Sequence, residues 1–562
     1  MSRKPKYIFV TGGVLSGLGK GITAASLGNV LKAGGFNINI QKVDPYLNRD
    51  AGTLNPGEHG EVFVTDDGAE ADLDLGHYER FLNQNLTHQS SVMTGKIYET
   101  VFRNERQGKY LGQTVQIIPH VTNEVKHRIR TAAQASGCDI HIIEIGGTIG
   151  DNEGFHFIEA ARQMWLEERE GNILFVHVVF LPYLRASDEV KTKPAQHSVE
   201  KLRSIGIQPH LLIARADDDI PPTQIAKLSL YTNVEKEAIL PLPTVDTVYE
   251  IPLIMEHYRL HEIVAQKLGL QLNQRNGGEW TRLVKKIKEQ KPTLTIALVG
   301  KYTTMLDTYA SVVEALKAAC WQAGVDLNLR WIDSEQLEQQ AADVFLKDAA
   351  GIVVPGGFGS RGIEGKIAAV KYARENKIPY LGLCLGMQLA VIEFARNVAG
   401  IPQATSEEFV TETPPGETPK GAGKTLGVNG KTPSVKEAPS CVIHIMDSQK
   451  TITDKGGTMR LGGWDCRLTP GSFAHQAYKQ KQIRERHRHR YELNNDFREQ
   501  LEKAGLRIAG TTPDGALVEI VEVADHPWFV GVQYHAEFTS RPLTGHPLFN
   551  DFVKAATAKV QL

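Results

Sequence analysis

Residues 10–21 read VTGGVLSGLGKG and directly follow the apolar run of residues 7–11, YIFVT. A glycine-rich loop between a strand and a helix can hold phosphates through backbone N–H groups and a lysine, in the pattern G-x-x-x-x-G-K-[ST]. Gly19 and Lys20 fit, but the opening glycine is displaced to Gly13, and Gly21 stands where the metal-binding hydroxyl belongs. The loop therefore predicts a P-loop-like fold whose metal ligands lie elsewhere in the chain.

Short apolar runs alternate with longer helical stretches, which is typical of a parallel sheet with crossover helices. The first set comprises residues 7–11, 37–43, 139–145, 172–180 and 210–214, and the second comprises residues 294–300, 351–357 and 379–386. We therefore predict an α/β protein with two domains, an N-terminal domain with a P-loop-like parallel sheet and a C-terminal α/β domain.

The polar residues between the two sets of apolar runs predict where the domains begin and end. We expect the first domain over residues 1–267, a linker over 268–293 and the second domain over 294–562. Residues 411–440 are rich in Pro, Gly, Thr and Lys without hydrophobic periodicity, which indicates a mobile surface insertion.

Composition narrows the class of protein. The 562 residues carry 63 Lys+Arg against 65 Asp+Glu, a net charge of -2, which argues against a nucleic-acid partner. The five cysteines are scattered without C-x-x-C spacing, as expected in a reducing cytoplasm. No apolar run is long enough to span a bilayer, so we expect a cytoplasmic protein with no membrane partner.

A candidate nucleophile stands in PYLGLCLGMQLA, where Gly382 and Gly386 flank Cys384. This spacing is typical of a strand-to-helix elbow, and the N-terminus of the helix favours the thiolate. A buried core cysteine is the alternative. His535 and Glu537, in GVQYHAEF, supply a base and an orienting carboxylate, and the glycine turn VPGGFGSRG could present N–H groups to an oxyanion.

These motifs resemble the class I glutamine amidotransferases. The resemblance implies that Cys384 attacks glutamine, that His535 is the general base and then acid, and that Glu537 orients it. Further positions match the residues that hold L-glutamine or form the oxyanion hole: Gly357, Leu385, Gly386, Met387, Gln388, Glu408 and Arg490. The usual H-P-E segment is H-A-E here, which removes no reacting group.

The first half supplies carboxylates that suit Mg²⁺, namely Asp72, Asp74 and Glu144. Taken alone, an acidic residue at a strand end more often caps a turn. Three long stretches, however, resemble the CTP synthase family: residues 10–21, residues 42–48 followed by 52–81, and residues 189–206 with KTKPAQHS. The resemblance implies ATP-dependent amination of UTP, with ammonia supplied by glutamine hydrolysis through a 4-phosphorylated UTP.

The family resemblance also assigns sites by position. It implies ATP contacts at Gly17, Leu18, Gly19, Lys20, Gly21, Ile22 and Asp74, charge stabilisation by Lys20 and Lys42, and Mg²⁺ ligands Asp74 and Glu144. It implies UTP or CTP contacts at Ser16, Asp151, Asn152, Glu153, Lys191, Thr192, Lys193, Pro194, Ala195, Gln196 and Lys227. It links Arg361, Gly362 and Glu364 to activation by GTP, and it implies a homotetramer with CTP feedback inhibition.

Two alternatives stay open at this point. Another glutamine-dependent ligase with a deviant phosphate loop, such as a cobyric acid synthase-like enzyme, should lack KTKPAQHS and GHYERF. A structural, filament-forming relative with a degraded active site should have lost Lys20, Cys384 or His535, all of which are present. The sequence leaves filament formation and the role of the insertion undecided.

Overall fold

The computed structural model describes residues 4–168, 171–186, 188–272, 278–301, 303, 305–411, 439–452 and 456–561. The predicted insertion lies outside these residues, apart from its two ends, as does part of the predicted linker. The chain divides into two compact units, Met1–Thr53 with Glu70–Lys288 and Leu54–Ala69 with Glu289–Leu562. Among the described residues, no helix is long and apolar enough to cross a membrane.

The first unit is built on a seven-stranded parallel sheet. In spatial order its strands are Ile239–Pro243, Leu211–Ala216, Ile173–Phe180, Lys6–Gly12, Ile140–Ile145, Ile38–Asp44 and Ser91–Met93. Its helices are Lys20–Ala33, Asp74–Leu82, Thr94–Arg106, Thr122–Ser136, Phe155–Glu167, Lys193–Ser204, Pro222–Thr232, Ile251–His257, Leu260–Lys267 and Gly278–Lys288. The parallel sheet predicted for this half is confirmed.

The last helix of the first unit, Gly278–Lys288, lies within the predicted linker. The indole of Trp280 is buried and donates a hydrogen bond to the backbone oxygen of Tyr249 at 2.8 Å. Its ring also packs against Phe81, with centroids 5.4 Å apart. These contacts attach the helix to the core of the first unit.

The second unit contains a nine-stranded sheet. In spatial order its strands are Asp326–Asp333, Thr293–Gly300, Gly351–Val354, Tyr380–Leu383, Phe529–Val532, Val518–Val523, Leu506–Thr511, Arg460–Leu468 and Gln482–His489. The strands from Asp326–Asp333 to Phe529–Val532 are parallel, and the others are added in antiparallel order. This mixed sheet confirms the α/β class of the second half.

Helices pack on this sheet and cover two apolar cores. They are Pro56–His59, Ala310–Ala323, Gln336–Gln339, Ala342–Leu346, Ile363–Glu375, Leu385–Asn397, Glu407–Thr411, Phe473–Tyr478, Arg498–Lys503 and Pro547–Gln561. A smaller sheet joins Ala404–Ser406, Ser440–Ile445 and Tyr491–Leu493. The strand Tyr380–Leu383 lies inside the main sheet, so Cys384 leaves the sheet at the carboxyl end of a central strand.

Candidate active sites

The phosphate-type loop of the first unit connects the strand Lys6–Gly12 to the helix Lys20–Ala33. Gly17 and Gly19 have positive φ angles of 72° and 89°, a conformation that glycine adopts without steric cost. Lys20 is the first helical residue, and its Nζ donates a hydrogen bond to the backbone oxygen of Gly147 at 2.8 Å. Burial lowers the pKa of Lys20. The loop thus places a buried amine beside backbone N–H groups at a helix N-terminus.

Gly21, which lacks the hydroxyl of the usual loop pattern, leaves space for a carboxylate beside the loop. A Cβ atom at position 21 would overlap the carboxylate of Asp74. The carboxylate therefore lies against the position where a Walker loop carries its metal-binding serine or threonine. This contact places one of the predicted Mg²⁺ ligands at the start of the helix that bears Lys20.

The other charged groups of this site come from the neighbouring strands. Lys42 Nζ forms an ion pair with Asp72 at 3.0 Å and another with Asp74. Burial disfavours the charged amine, but the nearby carboxylates hold the pKa of Lys42 well above its ordinary value. Glu144 is buried and accepts a hydrogen bond from the hydroxyl of Tyr78. Lys20, Lys42, Asp74 and Glu144 thus form one electrostatically coupled cluster.

Asp74 and Glu144 have the chemistry of ligands for a divalent metal ion. Burial and the charge of Asp74 together raise the pKa of Glu144 to about 7, although Lys42 and Lys20 oppose the rise. A divalent cation would relieve this repulsion, and two carboxylates are the ligand number that Mg²⁺ uses beside nucleotide phosphates and water. Among the described residues, no group of three or more His, Cys, Asp or Glu side chains could hold a metal ion. The residues present fit a Mg²⁺ ion that arrives with a nucleotide.

The positions matched to UTP and CTP lie in loops, at the start of one helix and, for Lys227, within another helix of the first unit. Ser16 is exposed in the phosphate loop, and Lys227 is exposed on the helix Pro222–Thr232. KTKPAQ straddles the start of the helix Lys193–Ser204, where Gln196 Nε2 donates to Thr192 Oγ1 at 2.9 Å. Residues 151–153 are exposed and precede the helix Phe155–Glu167.

The second unit forms the elbow that the cysteine motif predicts. Cys384 has φ 49° and ψ -100° and immediately precedes the helix Leu385–Asn397. A Cβ atom at Gly382 would lie 2.7 Å from the backbone of Gly386, and one at Gly386 would overlap the carbonyl oxygen of Val354. Only glycine fits both positions, so these two residues allow the tight turn that presents Cys384 at the N-terminus of a helix.

The predicted base and carboxylate meet at this elbow. His535 Nδ1 lies 2.7 Å from Glu537 Oε1, and the imidazole also interacts with Cys384. Burial alone would lower the pKa of His535, but Glu537 and Cys384 raise it to about 10. The imidazole therefore holds a proton at neutral pH. This arrangement brings together a nucleophile, a proton donor and an orienting carboxylate.

A cavity of about 90 Å³ opens beside the triad. Its lining includes Gly357 and Phe358 of the predicted oxyanion turn, together with Cys384 and His535. Arg488, another lining residue, stacks over the ring of Phe358 at 5.1 Å. The cavity gives a small polar molecule room next to the sulfur.

Residues 54–69 form part of the second unit and contribute Pro56, Glu61 and Val62 to the lining of this cavity. The carboxylate of Glu61 accepts from the backbone N–H and the hydroxyl of Ser311. Phe63 packs against Phe538 with ring centroids 5.0 Å apart, and Phe538 stacks on His535 at 4.9 Å. A stretch of sequence far from the cysteine motif thus supports the imidazole of His535.

Among the residues matched to glutamine binding, Gly357 lines this cavity, whereas the other six are not part of its lining. Gln388 is buried, and its Nε2 donates to the backbone oxygen of Tyr491 at 3.1 Å. Glu408 Oε1 accepts from the N–H of Gly359 at 2.8 Å, next to the oxyanion turn. Arg490 donates to Gln449 and Thr458. Leu385, Gly386 and Met387 form the buried first turn of the helix behind Cys384.

The positions linked to GTP surround the N-terminus of the helix Ile363–Glu375. Arg361 pairs with Glu335 at 2.8 Å and donates to the backbone oxygen of Lys301 at 3.0 Å. Gly362 adopts a φ of 68° as the residue before the helix. Glu364 pairs with Arg396 at 2.8 Å. These contacts hold the loop that follows the oxyanion turn.

Two residues near the sulfur are absent from the sequence-based predictions: Arg488, which lines the cavity, and Gln533, whose Nε2 donates to Cys384 Sγ at 3.7 Å. They lie in the motifs RERHRHR and GVQYHAEF, where strand alternation is the relevant signal. Arg488 has the same parity as Arg490, and Gln533 lies two residues before His535. A period of two applied to these motifs could have found them.

Two protein-family models match the two halves of this chain. The model described as CTP synthase N-terminus matches residues 6–270, and the model described as glutamine amidotransferase class-I matches residues 304–555. A CTP synthase of Roseiflexus castenholzii is 53% identical over 98% of this chain and 95% of the relative. The chain belongs to the CTP synthase family.

A CTP synthase of Carboxydothermus hydrogenoformans is 52% identical over 98% of both chains. Among solved structures, the glutaminase domain of Trypanosoma brucei CTPS with bound acivicin shares 38% identity and has a TM-score of 0.40. It covers 47% of this chain and 94% of that chain.

Proposed function

We propose that this chain catalyses the ATP-dependent amination of UTP to CTP, with ammonia released from L-glutamine. One observation carries the proposal: a Cys–His–Glu elbow and a phosphate loop that receives Asp74 at Gly21 occur in one chain of the family. The elbow accounts for glutamine hydrolysis, and the loop accounts for ATP. The alternative of a degraded, purely structural relative does not explain why both sites are intact.

In the glutaminase half, the thiolate of Cys384 attacks the δ-carbonyl carbon of glutamine. The N–H groups of Gly357 and Leu385 stabilise the oxyanion, since both residues adjoin the sulfur on a glycine turn and a helix N-terminus. His535 donates its proton to the leaving ammonia, and Glu537 keeps the ring oriented at 2.7 Å. Water then hydrolyses the thioester and releases glutamate.

In the synthetase half, the γ-phosphoryl group of ATP is transferred to the 4-oxygen of UTP. Residues 17–22 hold the ATP phosphates, and Lys20 and Lys42 stabilise the charge of the transferred group. Asp74 and Glu144 would hold Mg²⁺, which would supply positive charge to offset the negative charge of the phosphates. Ammonia then attacks C4 and displaces phosphate, forming CTP.

The substrate and effector contacts belong to the same proposal. Ser16, residues 191–196 and Lys227 bind UTP, and residues 151–153 contribute to CTP inhibition. Arg361, Gly362 and Glu364 take part in activation by GTP, and the active form is a cytoplasmic homotetramer. Their support is the positional match to the family together with the loop and helix locations described above.

A CTP-formation assay tests the proposal. The purified chain is incubated with UTP, ATP and Mg²⁺, with either glutamine or ammonium chloride, and CTP is separated and quantified. We expect CTP with either nitrogen source and none when ATP or UTP is omitted. Hydrolysis of glutamine without CTP formation from any nitrogen source would contradict the proposal and favour a ligase with another acceptor.

A further inference from the structure

Gln533 is a buried polar residue that the mechanism above does not use. It follows the strand Phe529–Val532 and is 1% exposed. Its backbone N–H donates to the backbone oxygen of Glu519 at 2.8 Å, which ties it to the neighbouring strand. Its backbone is therefore fixed by the sheet, and its side chain is buried.

The side-chain amide of Gln533 joins two residues of the glutaminase site. Its Nε2 donates to Cys384 Sγ at 3.7 Å, and its Oε1 accepts from Gln388 Nε2 at 3.3 Å. The network fixes the orientation of both amides, because Gln388 Nε2 also donates to a backbone carbonyl, that of Tyr491, which can only accept. The nitrogen of Gln533 must then face the sulfur.

The bond to the sulfur changes in strength with the state of the cysteine. The thiol can donate to the backbone oxygen of Arg488, 3.8 Å from Sγ. Once the proton has left, the N–H of Gln533 becomes a donor to an anion. Hydrogen bonds to charged groups are roughly twice as strong as neutral ones. The Gln533 contact therefore favours the thiolate.

We infer that Gln533 is a positioning residue of the glutaminase: its amide nitrogen stabilises the Cys384 thiolate, and its amide oxygen fixes Gln388 beside the bound glutamine. The inference rests on the proposed function of Cys384. In this inference, the side chain of Gln533 aligns Cys384 with Gln388, which contacts the glutamine substrate.

The test uses the full-length protein with Gln533→Leu and Gln533→Glu. Leucine removes both hydrogen bonds, whereas glutamate keeps an acceptor for Gln388 and replaces the donor to sulfur with an anionic oxygen. Gln322→Leu is the matched control, because this exposed glutamine donates to the backbone of Leu543 and does not line the cavity. The rate of Cys384 alkylation by iodoacetamide is measured against pH, with Cys384→Ala as the background.

We expect the alkylation midpoint to rise by about one pH unit in Gln533→Leu and further in Gln533→Glu, with no shift in the control. The ratio of glutamine-dependent to ammonia-dependent CTP formation should fall by about tenfold or more through kcat. An unchanged midpoint, or equal losses with both nitrogen sources, would show that Gln533 only supports the fold and overturn the inference. Glutamine-dependent activity in Cys384→Ala would instead refute the nucleophile assignment on which the inference depends.

Discussion

Gly21 shows how one residue changes the chemistry of a phosphate loop. Its missing side chain leaves space for the carboxylate of Asp74, which itself pairs with Lys42. A serine in the same place would restore the usual sequence pattern and remove this space. The glycine at position 21, which departs from the usual loop pattern, therefore leaves room for the carboxylate of Asp74.

Gly21→Ser tests this exchange. The added Cβ and hydroxyl must displace Asp74, so we expect CTP formation to fall by about 10²-fold with glutamine and with ammonia alike. Glutamine hydrolysis, measured as glutamate release, should stay close to the unmodified level. Full CTP formation by this variant would show that Asp74 does not act where the structure places it.

The pKa of His535 gives a prediction for pH dependence. Burial lowers this pKa, and Glu537 and Cys384 raise it to about 10, so the imidazole loses its proton only at high pH. In Glu537→Gln the pKa should fall, and the alkaline limb of kcat/KM for glutamine should move to lower pH by at least about one unit. An alkaline limb in the same place as in the unmodified protein would contradict the role of Glu537.

At the scale of elements, the strand-to-helix elbow around Cys384 is the feature most open to a packing test. Gly386→Ala would drive its methyl group into the carbonyl oxygen of Val354. We expect a loss of about 1–3 kcal/mol in unfolding free energy and a large loss of glutaminase activity. Urea unfolding and glutamate release measure the two effects.

A matched control for this variant is Gly278→Ala, because the nearest group there is the flexible end of Arg282. Alanine in this helix should leave stability unchanged or slightly higher. Equal destabilisation by both substitutions would show that the elbow has no special steric requirement.

Residues 151–153 precede the helix Phe155–Glu167 and carry the prediction for feedback. Asn152 is exposed, and its backbone oxygen accepts from Phe155 N–H, so its amide side chain is available to a ligand. Asn152→Ile should change CTP inhibition by about three- to tenfold, the effect of one hydrogen bond, with the KM for UTP nearly unchanged. Equal changes in both constants would argue against a separate CTP pocket.

The elements that the sequence predicts well are the buried parallel strands. Residues 139–145 and 172–180 are continuous apolar runs and become Ile140–Ile145 and Ile173–Phe180. Ile239–Pro243 was missed, because its two prolines argue against a strand and are tolerated only at the sheet edge that it occupies. Gln482–His489 was missed because Arg and Glu fill half of its positions.

At the scale of the whole molecule, the sequence predicts two α/β units but not which residues each contains. Residues 54–69 lie within the predicted synthetase domain and yet are part of the second compact unit. Their attachment depends on contacts between residues about 250 positions apart in sequence, such as Glu61 with Ser311. A pattern read along the chain carries no signal for such a pairing.

The same limit applies to the active sites. Cys384, His535 and Glu537 could be predicted because each stands in a short motif with a known spacing. The contact of Gly21 with Asp74 depends on the tertiary fold, and no spacing in the sequence indicates it. Motifs thus predict the reacting groups, and the fold decides how they are held.

The most direct measurement is CTP formation by Cys384→Ala, with glutamine in one reaction and ammonium chloride in the other. Lys20→Ala is assayed beside it. We predict that Cys384→Ala loses the glutamine-dependent reaction and keeps the ammonia-dependent one, because only the first needs the thiolate. Lys20→Ala should lose both reactions and still hydrolyse glutamine. Loss of both activities in a folded Cys384→Ala protein, or ammonia-dependent CTP formation by Lys20→Ala, would contradict the division of the chemistry between the two halves of the chain.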